Sequence, residues 1–192
     1  LKDEVKVFYT RMGDSFIELN ERSKIANRNN ADVFISIHCN HAKNHSAHGT
    51  ETYVMGTHKD EGNLEVAKRE NEAILLEDDY MESYEGFDPN SPEAHILFSL
   101  YQNTFRDQSL LLAASIENFL KKRKETNTSR GVKQAGFLVL WKTTMPSVLI
   151  ETGFLSNTKE RAYLNSGKGQ NEVAESIFKA FLEYKSKIEN LE

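Results

Sequence analysis

An α/β fold is predicted for this chain: an open, mostly parallel twisted sheet with helices on both faces, carrying a helical insertion. Three observations predict it. The stretch "VFISIHCNHA" at 33–42 is apolar on both alternating sides, with Val33, Ile35 and Ile37 on one and Phe34, Ser36 and His38 on the other; strands covered on both faces read this way. A second short apolar run, "PSVLIE", lies at 146–151. Such runs alternate along the chain with stretches of helical spacing, which is the pattern of α/β architecture.

The elements follow in order. "VKVFYT" (5–10) is predicted as a strand, and Ser15 with Glu18 has capping-box spacing, so a helix is expected over about 15–30. The strand at 32–38 comes next, then a His/Asn/Lys loop. "GTETYVMG" (49–56) is a strand bounded by glycines, with Thr50, Thr52 and Val54 alternating against Glu51, Tyr53 and Met55. Residues 58–108 carry no strand signal and form the expected insertion, with a first helix at 60–79. Ser91 and Pro92 make an N-cap and first-turn pair, opening a helix that runs through Leu97, Phe105, Leu112, Ile116 and Phe119 to "KKRK" at 121–124. "AGFLVL" (135–140) and "PSVLIE" are the last two strands. Asn157 and Glu160 repeat the capping-box spacing, and an amphipathic helix at 171–188 presents Val173, Ile177, Phe181, Tyr184 and Ile188 on one face.

Length and composition bound the function classes. The 192 residues suit one domain, 1–192, long enough to bury a sizeable core. No apolar run approaches the length of a bilayer span, so no membrane-spanning segment is expected, and the charged opening "LKDEVKVFYT" does not read as a signal peptide. With 24 Lys+Arg against 29 Asp+Glu, the net charge is −5 and "KKRK" is the only basic run, which argues against a nucleic-acid partner. The lone Cys39 excludes an internal disulfide.

Two polar groups close buried strands at their C-terminal ends, where open α/β sheets place ligands and chemistry. They are His38 and Glu151, the latter in "VLIETGFLSN". Alone, each has a bland explanation: a hydrogen-bonded core histidine, or a carboxylate capping the next turn. Together they suit a metal ligand and a general base for hydrolysis. His41, His45 and His48 read as a solvated loop, since they are not spaced on one helical face. Cys39 points to the side opposite His38 and is expected to pack rather than ligate.

"RMGDSFIELNERSKIANRNNADVFISIHCNHA", "GTETYVMG", "GVKQAGFLVL" and "MPSVLIETGFLSN" together resemble the zinc-dependent N-acetylmuramoyl-L-alanine amidases of the amidase-3 type. The resemblance covers the chain outside 58–108. It implies that His38, in the S-I-H-x-N motif, is a ligand of Zn²⁺. It also implies that Glu151, in the E-T-G-F motif, is the acid/base acting on a zinc-activated water. The implied reaction cleaves the amide between N-acetylmuramic acid and the L-alanine of the stem peptide. Peptidoglycan is then the partner, and a periplasmic or exported location follows from that substrate. Asn40 and the loop 41–48 would line the cleft, while Arg22 and Asn27 would be structural. The family's G-H-G-G strand end and its following helical glutamate supply two more zinc ligands and have no match here, so the domain is expected to be N-terminally incomplete relative to the family. That leaves an alternative open, a non-catalytic peptidoglycan-binding or regulatory module.

The resemblance extends to regulation. Related amidases of division sites carry a helical insertion after the strand matching 49–56, which blocks the cleft until an activator protein displaces it. Here Ala67, Glu70 and Ile74 fall at helical spacing, so Glu70 interrupts an apolar stripe. A carboxylate on a docking face is costly unless it meets a cation. Glu70 is therefore the expected occupant of the fourth zinc position, with Glu77 as the alternative, and 58–108 is the expected regulatory lid.

Overall fold

A computed structural model describes residues 5–57, 61–99, 104–123 and 128–190. Four strands form one sheet: β1 (Phe34–Asn40), β2 (Thr50–Met55), β3 (Ser129–Ala135) and β4 (Ser147–Phe154), in the order β1-β4-β2-β3. β1/β4 and β2/β3 are parallel and β2/β4 is antiparallel, so the sheet is mixed with parallel pairs in the majority. The helices are α1 (Leu19–Arg28), α2 (Glu61–Asn71), α3 (Tyr80–Ser83), α4 (Pro92–Ser99), α5 (Arg106–Leu120), α6 (Thr158–Leu164) and α7 (Gly167–Glu189).

Side-chain alternation along the strands sorts the interior into two clusters. On one face Val54, Val148 and Ile150 pack with Leu112, Ala113, Ile116 and Leu120 of α5 and with Val173, Ile177 and Tyr184 of α7. On the other, Phe34, Tyr53, Met55 and Leu149 pack with Leu19 and Ala26 of α1, Ala67 of α2 and Ile74 of the 3₁₀ turn Glu72–Leu76. Helices therefore cover both faces, as expected. The second face also holds Trp141, which meets Phe98 at 5.2 Å and Tyr84 at 6.3 Å between ring centroids, fastening the region after α2 to the scaffold.

Several expectations need correction. Residues 5–10 form no strand; Val7 and Tyr9 are exposed. An extended segment without a ladder partner leaves its backbone groups to water, and apolar composition alone does not supply a partner. "AGFLVL" is also not a strand: β3 ends at Ala135 and Leu138–Leu140 is a 3₁₀ turn, buried because it lies in the core of the second face. A short apolar run does not distinguish these cases by periodicity. The helix expected from Ser91 to "KKRK" is two helices, α4 and α5; Ser91 Oγ does accept from Ala94 N at 3.1 Å, and Lys124 lies outside the described residues. α1 starts at Leu19 rather than near Ser15, and its first N–H groups are capped from far along the chain. Leu19 N donates to Glu77 Oε1 at 2.9 Å and Asn20 N to the Tyr84 hydroxyl at 2.8 Å. The second capping box is half present. Asn157 Oδ1 accepts from Lys159 N and Glu160 N, but the Glu160 carboxylate accepts from Gly49 N and Phe154 N instead. Asn27, expected to be structural, ties α1 to the turn before β4 through Lys142 O and Thr144 N, and Arg22 Nε donates to Ile17 O.

Candidate active site

Three strands contribute one row of polar side chains to the α1/α2 face. His38 on β1 is the Cα partner of Glu151 on β4, and Glu151 is the partner of Glu51 on β2. Partners across a ladder lie on the same side of a sheet, so an imidazole and two carboxylates stand side by side. Glu70 of α2 adds to the row. His38 Nδ1 lies 2.7 Å from Glu70 Oε2, while Nε2 is 3.0 Å from Ser36 Oγ. Arg69, next to Glu70 on α2, bonds Glu70 Oε1 through Nε and NH2 and donates from NH1 to His41 O at 2.7 Å. α2 is thus pinned to the loop after β1.

The carboxylates differ in what meets them. Glu151 is fully buried, and among the described residues neither of its oxygens has a hydrogen-bond partner. Arg69 NH2 stands 3.6 Å away, an ion-pair distance too long for a hydrogen bond. Burial is the main cause that pushes the Glu151 carboxyl up to about 8; the negative charge of Glu70 adds to it and Arg69 works against it. Burial also works to raise Glu70, but the hydrogen bond and charge of His38, with the Arg69 guanidinium, outweigh it and hold that carboxyl below the ordinary range. Glu51 follows the same pattern: burial opposes ionisation, but Lys133, Arg130 and the Tyr53 hydroxyl hold it down. Asn40 also donates to Glu51, at 2.9 Å, so this residue is buried in the row.

Of the residues singled out in the sequence, His38, Glu151 and Glu70 come together. Glu77 is engaged elsewhere, capping α1 and accepting from the Tyr84 hydroxyl at 2.9 Å. His45 and His48 stay in the loop, with His48 Nδ1 against Ser46 O. Cys39 is exposed rather than packed, with Sγ 3.3 Å from Thr152 Oγ1. Sequence reasoning missed Glu51, Arg69, Arg130 and Lys133. No local pattern marked Glu51, since its place beside Glu151 depends on strand register.

An imidazole nitrogen and a carboxylate oxygen aimed at each other are donor types that suit zinc. Among the described residues, however, no three His, Cys, Asp or Glu groups form a metal-holding set. His38 and Glu70 are two donors of the right type, fewer than the three protein ligands that catalytic zinc takes.

The profile of the amidase-3 family, N-acetylmuramoyl-L-alanine amidase, matches residues 1–183. The chain belongs to this family. It is 32% identical over 179 residues to the N-acetylmuramoyl-L-alanine amidase AmiA of Escherichia coli, covering 91% of this chain and 59% of that protein. The chain therefore spans somewhat over half the length of that relative. Among solved structures, the amidase AmiC2 of Nostoc punctiforme is similar, with a TM-score of 0.66 and 27% identity over 96% of this chain and 75% of that one. The CwlD amidase of Clostridioides difficile, solved in complex with the GerS lipoprotein, matches with a TM-score of 0.57 and 25% identity, covering 88% of this chain and 61% of CwlD. The mixed α/β architecture agrees with these neighbours.

Proposed function

We propose that this chain is the catalytic region of a peptidoglycan amidase that cleaves the amide between N-acetylmuramic acid and the L-alanine of the stem peptide. The observation that carries the reading is Glu151: a carboxyl with no hydrogen-bond partner among the described residues, buried within β4 opposite His38 and held protonated up to about pH 8. A group tuned close to neutrality can both accept and return a proton, which is what amide hydrolysis asks of its acid/base. Glu151 takes the proton of the attacking water and delivers it to the departing alanine nitrogen. His38 is a zinc ligand in this reading, and zinc, when bound, supplies a Lewis acid for the amide carbonyl. Arg69, the nearest cation, stabilises the ionised form of Glu151.

Glu70 is the proposed regulator. Its contact with His38 occupies a metal ligand's nitrogen with an acid from the insertion, and this supports a resting state of low activity. Leu75, Leu76, Met81, Ile96 and Leu97 are exposed on the same region, which suits docking of an activator protein. A periplasmic or exported location follows from the proposed substrate; among the described residues no helix is long and apolar enough to cross a membrane. The alternative reading is a non-catalytic peptidoglycan-binding or regulatory module.

One experiment separates the two: zinc content and muropeptide hydrolysis of the wild type, Glu151→Gln and His38→Ala, in this chain and in the longest natural form. The amidase reading expects Glu151→Gln to keep its fold and metal while hydrolysis slows at least about 10²-fold, and His38→Ala to lose zinc. Near-full activity of Glu151→Gln removes Glu151 from the mechanism. Absence of zinc and hydrolysis from every form removes the amidase reading, and peptidoglycan binding retained in those forms supports the module.

A further inference from the structure

The ladder between β2 and β3 slips by one residue beside the candidate site. Thr50 pairs with Ser129 but Thr52 pairs with Val132, so Arg130 and Gly131 together stand opposite Glu51. Gly131 has φ +86, a backbone conformation that side chains rarely allow, and this is how a bulge is accommodated. In an unbroken strand, residues 129, 131 and 133 would share one face. The bulge changes the phase. Ser129 and Val132 now point toward α5, where Ser129 Oγ bonds Glu117 and Val132 joins the core. Arg130 and Lys133 both point to the face of His38 and Glu151, and both reach Glu51 Oε1, at 2.5 and 2.7 Å.

Two cations on one carboxylate leave one positive charge over. Glu51 already accepts from Asn40 and Tyr53 as well, so its needs do not account for the second cation. Lys133 is the more enclosed of the two, with 19% of its side chain exposed against 41% for Arg130. Arg130 uses only Nε on Glu51, and its guanidinium lies 5.3 Å from the centre of the Phe154 ring. Its terminal nitrogens take no acceptor among the described residues. The result is a planar fork, charged and held by an aromatic ring and a buried carboxylate. Such a fork matches a carboxylate in two parallel hydrogen bonds.

The fork also stands at a useful distance. Arg130 Nε rests on Glu51, the ladder partner of Glu151 on the neighbouring strand, and neighbouring strands lie about 4.8 Å apart, so the fork stands about one strand spacing from Glu151. An extended peptide advances about 3.3 Å per residue, which puts Arg130 within reach of the residue just beyond the alanine whose amide Glu151 serves. Peptidoglycan stem peptides carry an acidic residue there, with its α-carboxylate either free or amidated. We infer that Arg130 is a specificity determinant that receives this free carboxylate. The assignment of the ligand rests on the amidase reading; the fork itself does not.

The test uses two probes, N-acetylmuramoyl stem peptides whose second residue bears a free α-carboxylate or the corresponding amide. Calorimetric binding is measured for the wild type, Arg130→Gln and Arg130→Lys, with circular dichroism to monitor the fold. The wild type is expected to prefer the free carboxylate by about tenfold or more, the scale of a hydrogen-bonded charge pair. In Arg130→Gln the ratio falls to near one, and in Arg130→Lys it lies between. A wild type without preference, or a folded Arg130→Gln that keeps it, overturns the assignment. If Arg130→Gln does not fold, Arg130→Lys decides, and an undiminished ratio there overturns it as well. Hydrolysis of the same probes by zinc-loaded protein separates the two claims. Hydrolysis with an Arg130-independent ratio retains the amidase and removes the Arg130 role. Arg130-dependent binding without hydrolysis retains the fork and removes the amidase.

Discussion

The two faces of the sheet each bury a carboxylate, and they treat it in opposite ways. Toward α5, Glu117 receives the hydroxyls of Thr50 and Thr52 at 2.9 and 2.6 Å and that of Ser129. Toward α1 and α2, Glu151 is buried more completely and receives nothing. Both sit beside well-packed apolar clusters, so burial alone does not distinguish them. The difference is satisfaction: a buried polar group with all its partners is part of the framework, and one without them is held for something else.

That contrast can be broken first at Glu117. Glu117→Ala strands three hydroxyl donors in the interior and should cost about 3 kcal/mol of stability, the scale of breaking a buried polar set. Urea denaturation measures it, and a loss below about 0.5 kcal/mol would mean that the set contributes little.

The second test is the pH dependence of stability in the metal-free chain. Glu151 keeps its proton up to about 8 when folded, against a usual value of 4.5. Between those values the folded state holds a proton that the unfolded state has released. The contribution is therefore whole below about 4.5, falls as pH rises, and levels off above about 8. The slope is at most about 1.4 kcal/mol per pH unit. Glu51 and Glu70, both lowered, act at the other end, where their contribution is lost as pH falls below the usual carboxylate value. Denaturation of the wild type and Glu151→Gln from about pH 5 to about pH 9 should show a steeper fall with rising pH in the wild type, since Glu77, also raised by burial, contributes equally to both. An equal slope in both would mean that Glu151 is ionised in the folded protein.

The smallest expected effect concerns Glu70, the acid that α2 sets against His38. Glu70→Ala frees His38 Nδ1 and should raise basal muropeptide hydrolysis by a few-fold, up to about tenfold, in the range of a modest coupling between two states. Release of labelled stem peptide measures it. Unchanged or lower activity would leave the insertion as a docking arm alone.

Much of this was legible from the chain itself, for identifiable reasons. His38 and Glu151 stood out because each closes a run of apolar residues, although the strands run on to Asn40 and Phe154, so both stand inside the ladder and not at the expected strand ends. Glu70 stood out because it interrupts the stripe of Ala67 and Ile74, both buried in the structure. Glu51 was in plain view but read as one side of an alternating strand; that it neighbours Glu151 depends on register between strands far apart in sequence, which no local pattern encodes. Arg130 was further out of reach, because the bulge at Gly131 sets its direction. The apolar segments at 5–10 and 135–140 misled for the converse reason. Hydrophobicity reports that a segment prefers shelter, and only pairing makes it a strand.

The capping of α1 by Glu77 and Tyr84 has a kinetic and cooperative side. Two N–H groups of a scaffold helix find their acceptors on the region that also carries Glu70. Swinging that region away from the sheet would orphan both donors and loosen the first turn of α1. Under the proposed lid, lifting Glu70 from His38 would therefore be felt at Leu19 and Asn20 as lost protection from solvent exchange.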